Sequence, residues 1–373
     1  MRRAGQGRTG STLTSVERLG LVGLPNSGKS ALFNALTGGS AVVAAHPFST
    51  TETQFGIAQV SDHRLTALAE MSKSKKVVPT TVELVDIAGL VAGSSSGEGL
   101  GNRFLGGIRE VDAILLVLRA FADDNVVGAS DALSELHTLE LELVMADLDS
   151  AETQLAKRRK MARFDPSVND EVHVLEAAVA ALSAGTPLYR SSLSDDQRVE
   201  LRPMFLLTNK PVLAVVNLGE DQIDDADAVV KPVAAELGDA ADVLGVSVQL
   251  ESEAAQLDDE SRTDLLEGLG LGEGVLPRVA RAAYHLLGRR TFLTTGDKES
   301  RAWTFRAGAH APECAGVIHS DLQRGFIRAE VIRWDALLAL GSWAAARDAG
   351  KLRVEGKDYE VADGDVLEIR FNV

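Results

Sequence analysis

The octet Gly23-Leu-Pro-Asn-Ser-Gly28-Lys29-Ser30 constrains this chain more than any other stretch. It fits the pattern G-x-x-x-x-G-K-[ST] without departure. Before it stands an apolar run, Arg18 to Gly23, and after it the breaker-free stretch Ser30 to Leu36. Strand, glycine-rich turn and helix are the setting in which such an octet wraps a phosphate. Glycines let successive backbone N–H groups curl toward one anion, and the positive end of the following helix adds to the potential there. Lys29 is then expected to reach the outer phosphates of a nucleotide and to serve as the catalytic cation, while the Ser30 hydroxyl ligates Mg2+. Asn26, Ser27, Gly28, Lys29, Ser30 and Ala31 form the candidate nucleotide-binding run.

A loop of this kind needs a parallel sheet behind it. Strand candidates follow at Thr81 to Val85, ending on Asp86, at Ala113 to Leu118, at Pro211 to Val216, ending on Asn217, and more weakly at Asp242 to Val248. Strands set apart by helices or long crossings indicate a doubly wound α/β sheet. Asp131 to Met161 has leucines at three, four and seven spacings and neither Gly nor Pro, and Asp170 to Leu182 repeats the style after Pro166. These predict either an inserted helical hairpin or a packed helical subdomain. Beyond Tyr284 the character changes to short strand candidates at Trp303 to Phe305, Val317 to His319, Phe326 to Ile332 and Val366 to Phe371, with a tight-turn signal at Asp363-Gly-Asp365. The expected organisation is a disordered extension over 1–16, a nucleotide-binding domain over 17–130 and 201–286, an inserted arm over 131–200 and a small β-rich domain over 287–373.

Two further elements fit the phosphate loop by distance. Asp86-Ile-Ala-Gly89 follows a strand, so Asp86 is expected at the Mg2+ and the Gly89 N–H at the outermost phosphate. Pro47-Phe48-Ser49-Thr50-Thr51 fits a switch loop, with Thr50 supplying a second hydroxyl to the metal and Thr51 the alternate. Base recognition in such folds normally uses N-K-x-D. Asn209-Lys210-Pro211-Val212 lacks the Asp and precedes its strand, whereas Asn217-Leu-Gly-Glu220 follows one directly. Asn217 and Glu220 are therefore the candidate base-site residues, and Glu in place of Asp points away from standard guanine recognition. Ser247-Val-Gln-Leu-Glu251 is the next loop expected near the base.

The net charge of −16 sets phosphates against most of the surface, so any RNA contact must use a local basic patch, the densest being Lys157-Arg158-Arg159-Lys160 with Arg163. The single cysteine, Cys314, excludes an intrachain disulfide and a cysteine-based zinc site, which suits a cytoplasmic setting. No apolar run approaches a membrane span. Neither a membrane nor DNA is expected as a partner.

At this point the residues resemble the YchF/Obg-like ATPase family closely. The resemblance is carried by GLPNSGKSALFNALTG from Gly23, HPFSTTE from His46, PTTVELVDIAGLV from Pro79, GEGLGNRFLGGIREVDAI from Gly97 and the N-x-x-E element at Asn217. It continues through RAW from Arg301, GVIHSD from Gly316, GFIRAEV from Gly325, EGKDY from Glu355 and the terminal DGDVLEIRFNV. It implies an Obg-type G domain, a coiled-coil arm and a C-terminal TGS domain of ubiquitin-like α+β type. It also implies ATP as the preferred substrate over GTP, and association with the ribosome, chiefly the large subunit or its RNA, through basic patches of the arm and the TGS domain. The chain departs from the family at Thr51-Glu52-Thr53-Gln54, at Gly93-Ser-Ser-Ser-Gly97 and at Leu116, where the family usually has His.

Leu90 stands where many related GTPases place a water-orienting Gln, so intrinsic ATP hydrolysis is expected to be slow. Asn26 is of the type that some related NTPases use beside a bound K+. Arg103 and Arg109 could approach phosphate, although ion pairing is their commoner role. Three functions remain open: a slow ATPase whose nucleotide state controls docking, a nucleotide-gated binding module with little turnover, and a conventional GTPase.

Overall fold

The computed structural model describes residues 17–39, 42–43, 54–87, 100–122, 130–269 and 271–372. The expected N-terminal extension, Thr50, Thr51, the 93–97 stretch, Gly89 and Leu90 lie outside them.

The first sheet has seven strands: β1 (Arg18–Val22), β2 (Val42–Val43), β3 (Gln54–Val60), β5 (Thr80–Asp86), β6 (Ala113–Arg119), β7 (Val212–Asn217) and β8 (Val243–Val246), in the order β2-β3-β5-β1-β6-β7-β8. The five strands from β5 to β8 run parallel, while β3 is antiparallel to both β5 and β2. Continuous apolar runs make the central strands because both faces of the sheet are covered. Leu116 and Leu118 of β6 face one cluster with Ile108, Leu136 and Val233, and Leu115 and Val117 face another with Leu32, Phe33 and Val279. Helices α1 (Lys29–Thr37) and α10 (Leu276–Leu286) therefore cover one face, and α3 (Leu100–Arg109), the start of α4 (Ala132–Ala162) and α7 (Ala226–Leu237) the other. The register sets Leu21 beside Asp86 and Leu115, and Arg119 beside Asn217. The carboxyl ends of β1, β5 and β7 thus open onto one edge, the edge at which such sheets hold their ligands.

Helix α4 serves two bodies. Its first turns, with Leu136, Leu139 and Leu143, belong to the sheet's core. Its later turns, with Val144, Ala151 and Leu155, pack on α5 (Asn169–Ser183) through Leu175, Ala178 and Leu182. Asp131 caps its N-terminus by accepting from the Leu133 and Ser134 N–H groups. Asp147, buried midway, accepts from Leu207 N–H, Thr208 N–H and the Thr208 hydroxyl at 2.7–2.8 Å, which fixes the turn leading into β7. Burial raises the Asp147 pKa. The short α6 (Asp195–Glu200) carries a Ser194–Gln197 capping box.

The second sheet has six strands in the order β12-β11-β13-β9-β10-β4: β4 (Val77–Val78), β9 (Arg289–Thr294), β10 (Ser300–Arg306), β11 (Phe326–Arg333), β12 (Arg353–Glu355) and β13 (Asp365–Phe371). The sequence reading places one strand wrongly. Val317 to His319 is the end of helix α11 (Ala311–Ile318), followed by α12 (Ser320–Arg324). Pro312 at the helix start and Glu313, whose carboxylate accepts from the His310 N–H at 2.7 Å, start a helix there, and that outweighs the short apolar run. His319 is the residue joining the two helices, its Nδ1 accepting from the Asp321 N–H. Cys314 is buried inside this unit, which pushes its thiol up to about 12 and leaves it inert.

Residues 61–79, between β3 and β5, belong to both halves of the molecule. Helix α2 (His63–Ser72) buries Leu65 and Leu68 against Leu293, Ala302, Ile332, Leu337 and Ala346, drawing in α13 (Trp334–Leu340) and α14 (Trp343–Asp348). Each fully buried leucine contributes roughly 1.5–3 kcal/mol. Strand β4 pairs with β10, Arg64 bridges Asp62 and Asp363, and a hydroxyl chain runs from Ser72 through Thr295 and Ser300 to Ser74 at 2.6–2.8 Å. Helices α8 (Val248–Ala254) and α9 (Asp259–Gly268) complete the first unit beside β8.

Candidate nucleotide-binding site

The octet forms a turn between β1 and α1 whose backbone only certain residues can follow. Asn26 has φ 64°, a left-handed value that Asn tolerates better than most residues. Gly28 has φ 87°, and a Cβ there would collide with the Asn217 amide. A Cβ on Gly23 would lie 2.7 Å from the Val117 carbonyl. The turn closes through Ser27 N–H to the Leu24 carbonyl at 3.2 Å, and Leu32 N–H returns to the Gly28 carbonyl at 2.9 Å. Ala31 sits exposed on the first turn of α1.

Lys29 and Asp86 are both only 8% exposed and form an ion pair. Ser30 Oγ donates to the other carboxylate oxygen of Asp86 at 2.7 Å. One carboxylate thus gathers the loop lysine and the hydroxyl that opens α1. A serine hydroxyl beside an aspartate is the hard-oxygen donor set that suits Mg2+. Ser30 and Asp86 fit that ion. Among the described residues there is no cluster of three His, Cys, Asp or Glu that could hold a metal without a nucleotide.

On the other side of the octet, the buried Asn217 side chain donates to the Ser27 carbonyl at 3.0 Å and accepts from the Val248 N–H at 3.2 Å. It ties the phosphate loop to the loop after β8. Glu220, three residues on, begins a 3-10 turn and is exposed, with no side-chain hydrogen bond or ion pair among the described residues. Asn209 and Lys210 lie elsewhere. Lys210 donates to the Val111 carbonyl, and Asn209 is bound to Arg198.

Sequence reasoning named Ser27 and the Ser247 to Glu251 loop, but it missed Gln222 and the partner that holds Glu251. Gln222 clamps the Asn217–Glu220 loop, accepting from Gly219 N–H at 2.9 Å and donating to the Ala120 carbonyl at 3.1 Å. Glu251 is buried with its pKa raised by that burial, and it accepts from the Val275 N–H just before α10. The Ser27 and Ser247 hydroxyls are buried without a protein partner among the described residues, one on each side of Asn217. Of the two misses, only the short spacing of Gln222 from Asn217 was visible beforehand. Among the described residues Arg109 forms no side-chain ion pair with the site, and Leu116 is buried in the core.

Residues 18–154 match the family described as 50S ribosome-binding GTPase, and residues 290–372 match the YchF-GTPase C-terminal family, described as a protein of unknown function. The chain is 45% identical to the ribosome-binding ATPase YchF of Bacillus subtilis over 95% of its own length and 99% of that protein. The protein of the same name from Escherichia coli O157:H7 is 42% identical over 95% of this chain and 99% of its own. The solved structure of the Schizosaccharomyces pombe YchF GTPase superposes with a TM-score of 0.83 at 30% identity, covering 99% of this chain and 100% of that one. No helix among the described residues is long and apolar enough to cross a membrane.

Proposed function

The chain belongs to the YchF family, and from that premise we propose that it is a Mg2+-dependent ATPase, accepting GTP less well, whose nucleotide state governs docking on the ribosome. The observation that carries the base preference is the loop after β7. Asn217 is committed to holding the two loops together, and Glu220 is the exposed carboxylate left to meet the base. Glu carries its acceptor one methylene farther than the Asp of a guanine site, and Leu218 stands where N-K-x-D has its lysine.

The phosphates lie along Asn26 to Ala31 and the Gly89 N–H. Lys29 leaves Asp86 for the outer phosphates, where it stabilises charge as the terminal phosphoryl group departs. Ser30, Thr50 and Asp86 hold Mg2+, which supplies further charge neutralisation when bound. With Leu90 beyond the Asp86–Gly89 element, the chain has no side chain there to orient water, and turnover is slow until the ribosome contributes. K+ beside Asn26 is a second cation to test, by comparing rates in K+ and Na+. The contact with the large subunit or its RNA uses the basic patches of the arm and of the C-terminal unit, read as a TGS domain, in the cytoplasm.

The relatives' names divide between ATPase and GTPase, so base selectivity is the deciding measurement. Fluorescent ADP and GDP are titrated against the protein with Mg2+ present. Tighter ADP binding is expected. Equal or tighter GDP binding returns the chain to the conventional GTPases. Turnover with and without large subunits then separates an ATPase from a nucleotide-gated binding module, because the module would bind both ligands and stay unstimulated.

A further inference from the structure

Resting on the reading that the chain docks on the ribosome, we propose that the arm tip carries a base-stacking anchor, the Phe164 ring, which holds one unpaired nucleotide of structured RNA. Helix α4 ends at Ala162, and the chain turns through Phe164 to the 3-10 turn Pro166–Val168 that leads into α5. Phe164 is 90% exposed, more than any other large hydrophobic residue among those described. Its backbone is held in the turn, since its N–H donates to the Met161 carbonyl at 2.9 Å. The ring joins none of the apolar clusters.

The charges at the tip are sorted. Arg158 and Arg159 turn toward α5 and pair with Glu171 and Glu176 at 2.6 and 2.7 Å. Lys157, Lys160 and Arg163 are exposed and pair with no carboxylate among the described residues. Lys157, Lys160 and Met161 fall on one stripe of α4, and Phe164 stands in the turn two residues past the helix end, so the unpaired cations and the ring gather at the tip. Met161 is itself 47% exposed there. On a chain of net charge −16, such a tip selects an anionic partner.

Two chemistries at once, cations for phosphates and a flat ring for a base, describe single-stranded nucleic-acid recognition. A duplex keeps its base faces stacked inside, so the ring requires a loop or bulge. A bilayer needs a wider apolar face than one phenyl ring and half a methionine.

The full chain is tested against large ribosomal subunits, an RNA hairpin with an unpaired loop, a fully paired duplex of equal length, and phosphatidylserine-containing vesicles, at one salt concentration. Phe164→Ala and Phe164→Leu are expected to weaken subunit and loop binding about tenfold, with Phe164→Trp restoring it and duplex binding unchanged. Leucine binding as well as phenylalanine overturns stacking. So does an equal loss on the duplex, or vesicle binding with the same dependence on Phe164. Charge reversal of Lys157, Lys160 and Arg163 tests the underlying reading separately. If reversal weakens subunit binding and the Phe164 variants do not, docking through the arm stands and the anchor is wrong. If the unmodified chain fails to bind subunits, the docking reading falls and takes the anchor with it.

Discussion

The proposed phosphate end and the proposed base end of this site are built on opposite plans. The phosphate end is one contiguous octet plus Asp86, and two of its polar side chains, Lys29 and Ser30, share that single carboxylate. The base end is assembled from four separated places: Ala120, the Asn217 to Gln222 loop, Ser247-Val248, and the Ser27 carbonyl. Glu220 is exposed there, and its side chain has no partner among the described residues. On that proposal, a dense, local, charged pocket takes any nucleoside polyphosphate and tolerates little change. A dispersed rim of a few contacts sets preference, and a tenfold preference needs only about 1.4 kcal/mol. Discrimination should therefore be easy to shift, and phosphate binding hard to keep once touched.

The sharpest break of that contrast is Lys29→Met. It leaves Asp86 buried without its cation and strips the outer phosphates of theirs. Hydrolysis in a steady-state assay should fall by roughly a hundredfold or more, with ATP and GTP affected alike. Next comes Asn217→Ala, which removes two buried hydrogen bonds worth about 1 kcal/mol each, plus the cost of the groups left unmet. Both ADP and GDP should bind more weakly in a titration, and the melting temperature should drop, because this residue joins the two ends. Glu220→Ala should change the ADP-to-GDP affinity ratio by about tenfold with no change in melting temperature. An unchanged ratio would put the base somewhere other than this loop. The smallest effect lies away from both ends. Burial, and then the Arg290 charge, hold the His285 imidazole below its ordinary value of 6.5. The unfolded chain therefore takes up that proton first, and stability present above pH 6.5 is lost as pH falls through the lower folded value. Melting temperatures of the unmodified chain and His285→Gln, compared from pH 7.5 to 5, should show the unmodified chain losing more, with base selectivity untouched.

What could be read beforehand follows the same division. The octet, the apolar strands β1, β5, β6 and β7, and the long breaker-free α4 announce themselves because their signals are contiguous. Strand β3 escaped notice because Gln54 to Val60 is half-buried with Gly56 in its middle. That glycine is needed where a Cβ would press on Phe33 and Thr37, contacts far away in sequence. Gln222, Asp147 and Glu251 position the site through hydrogen bonds to partners between 3 and 102 residues distant, and most such pairings leave no periodic trace. The helix at Ala311 was a different kind of miss, since Pro312 and Glu313 stated it in the sequence and the neighbouring Val317 and Ile318 suggested a strand.

The two strands that flank residues 61–79 also have a mechanical meaning. β3 and β5 pair from Val60 and Thr80 at one end to Gln54 and Asp86 at the other. The first end is stitched into the C-terminal sheet, and the second carries the carboxylate that Lys29 and Ser30 share. At about 3.3 Å per residue, the pair is a stiff strut roughly 20 Å long. A torque on the C-terminal unit is thus delivered along two hydrogen-bonded strands to Asp86, with no flexible linker between them to absorb it.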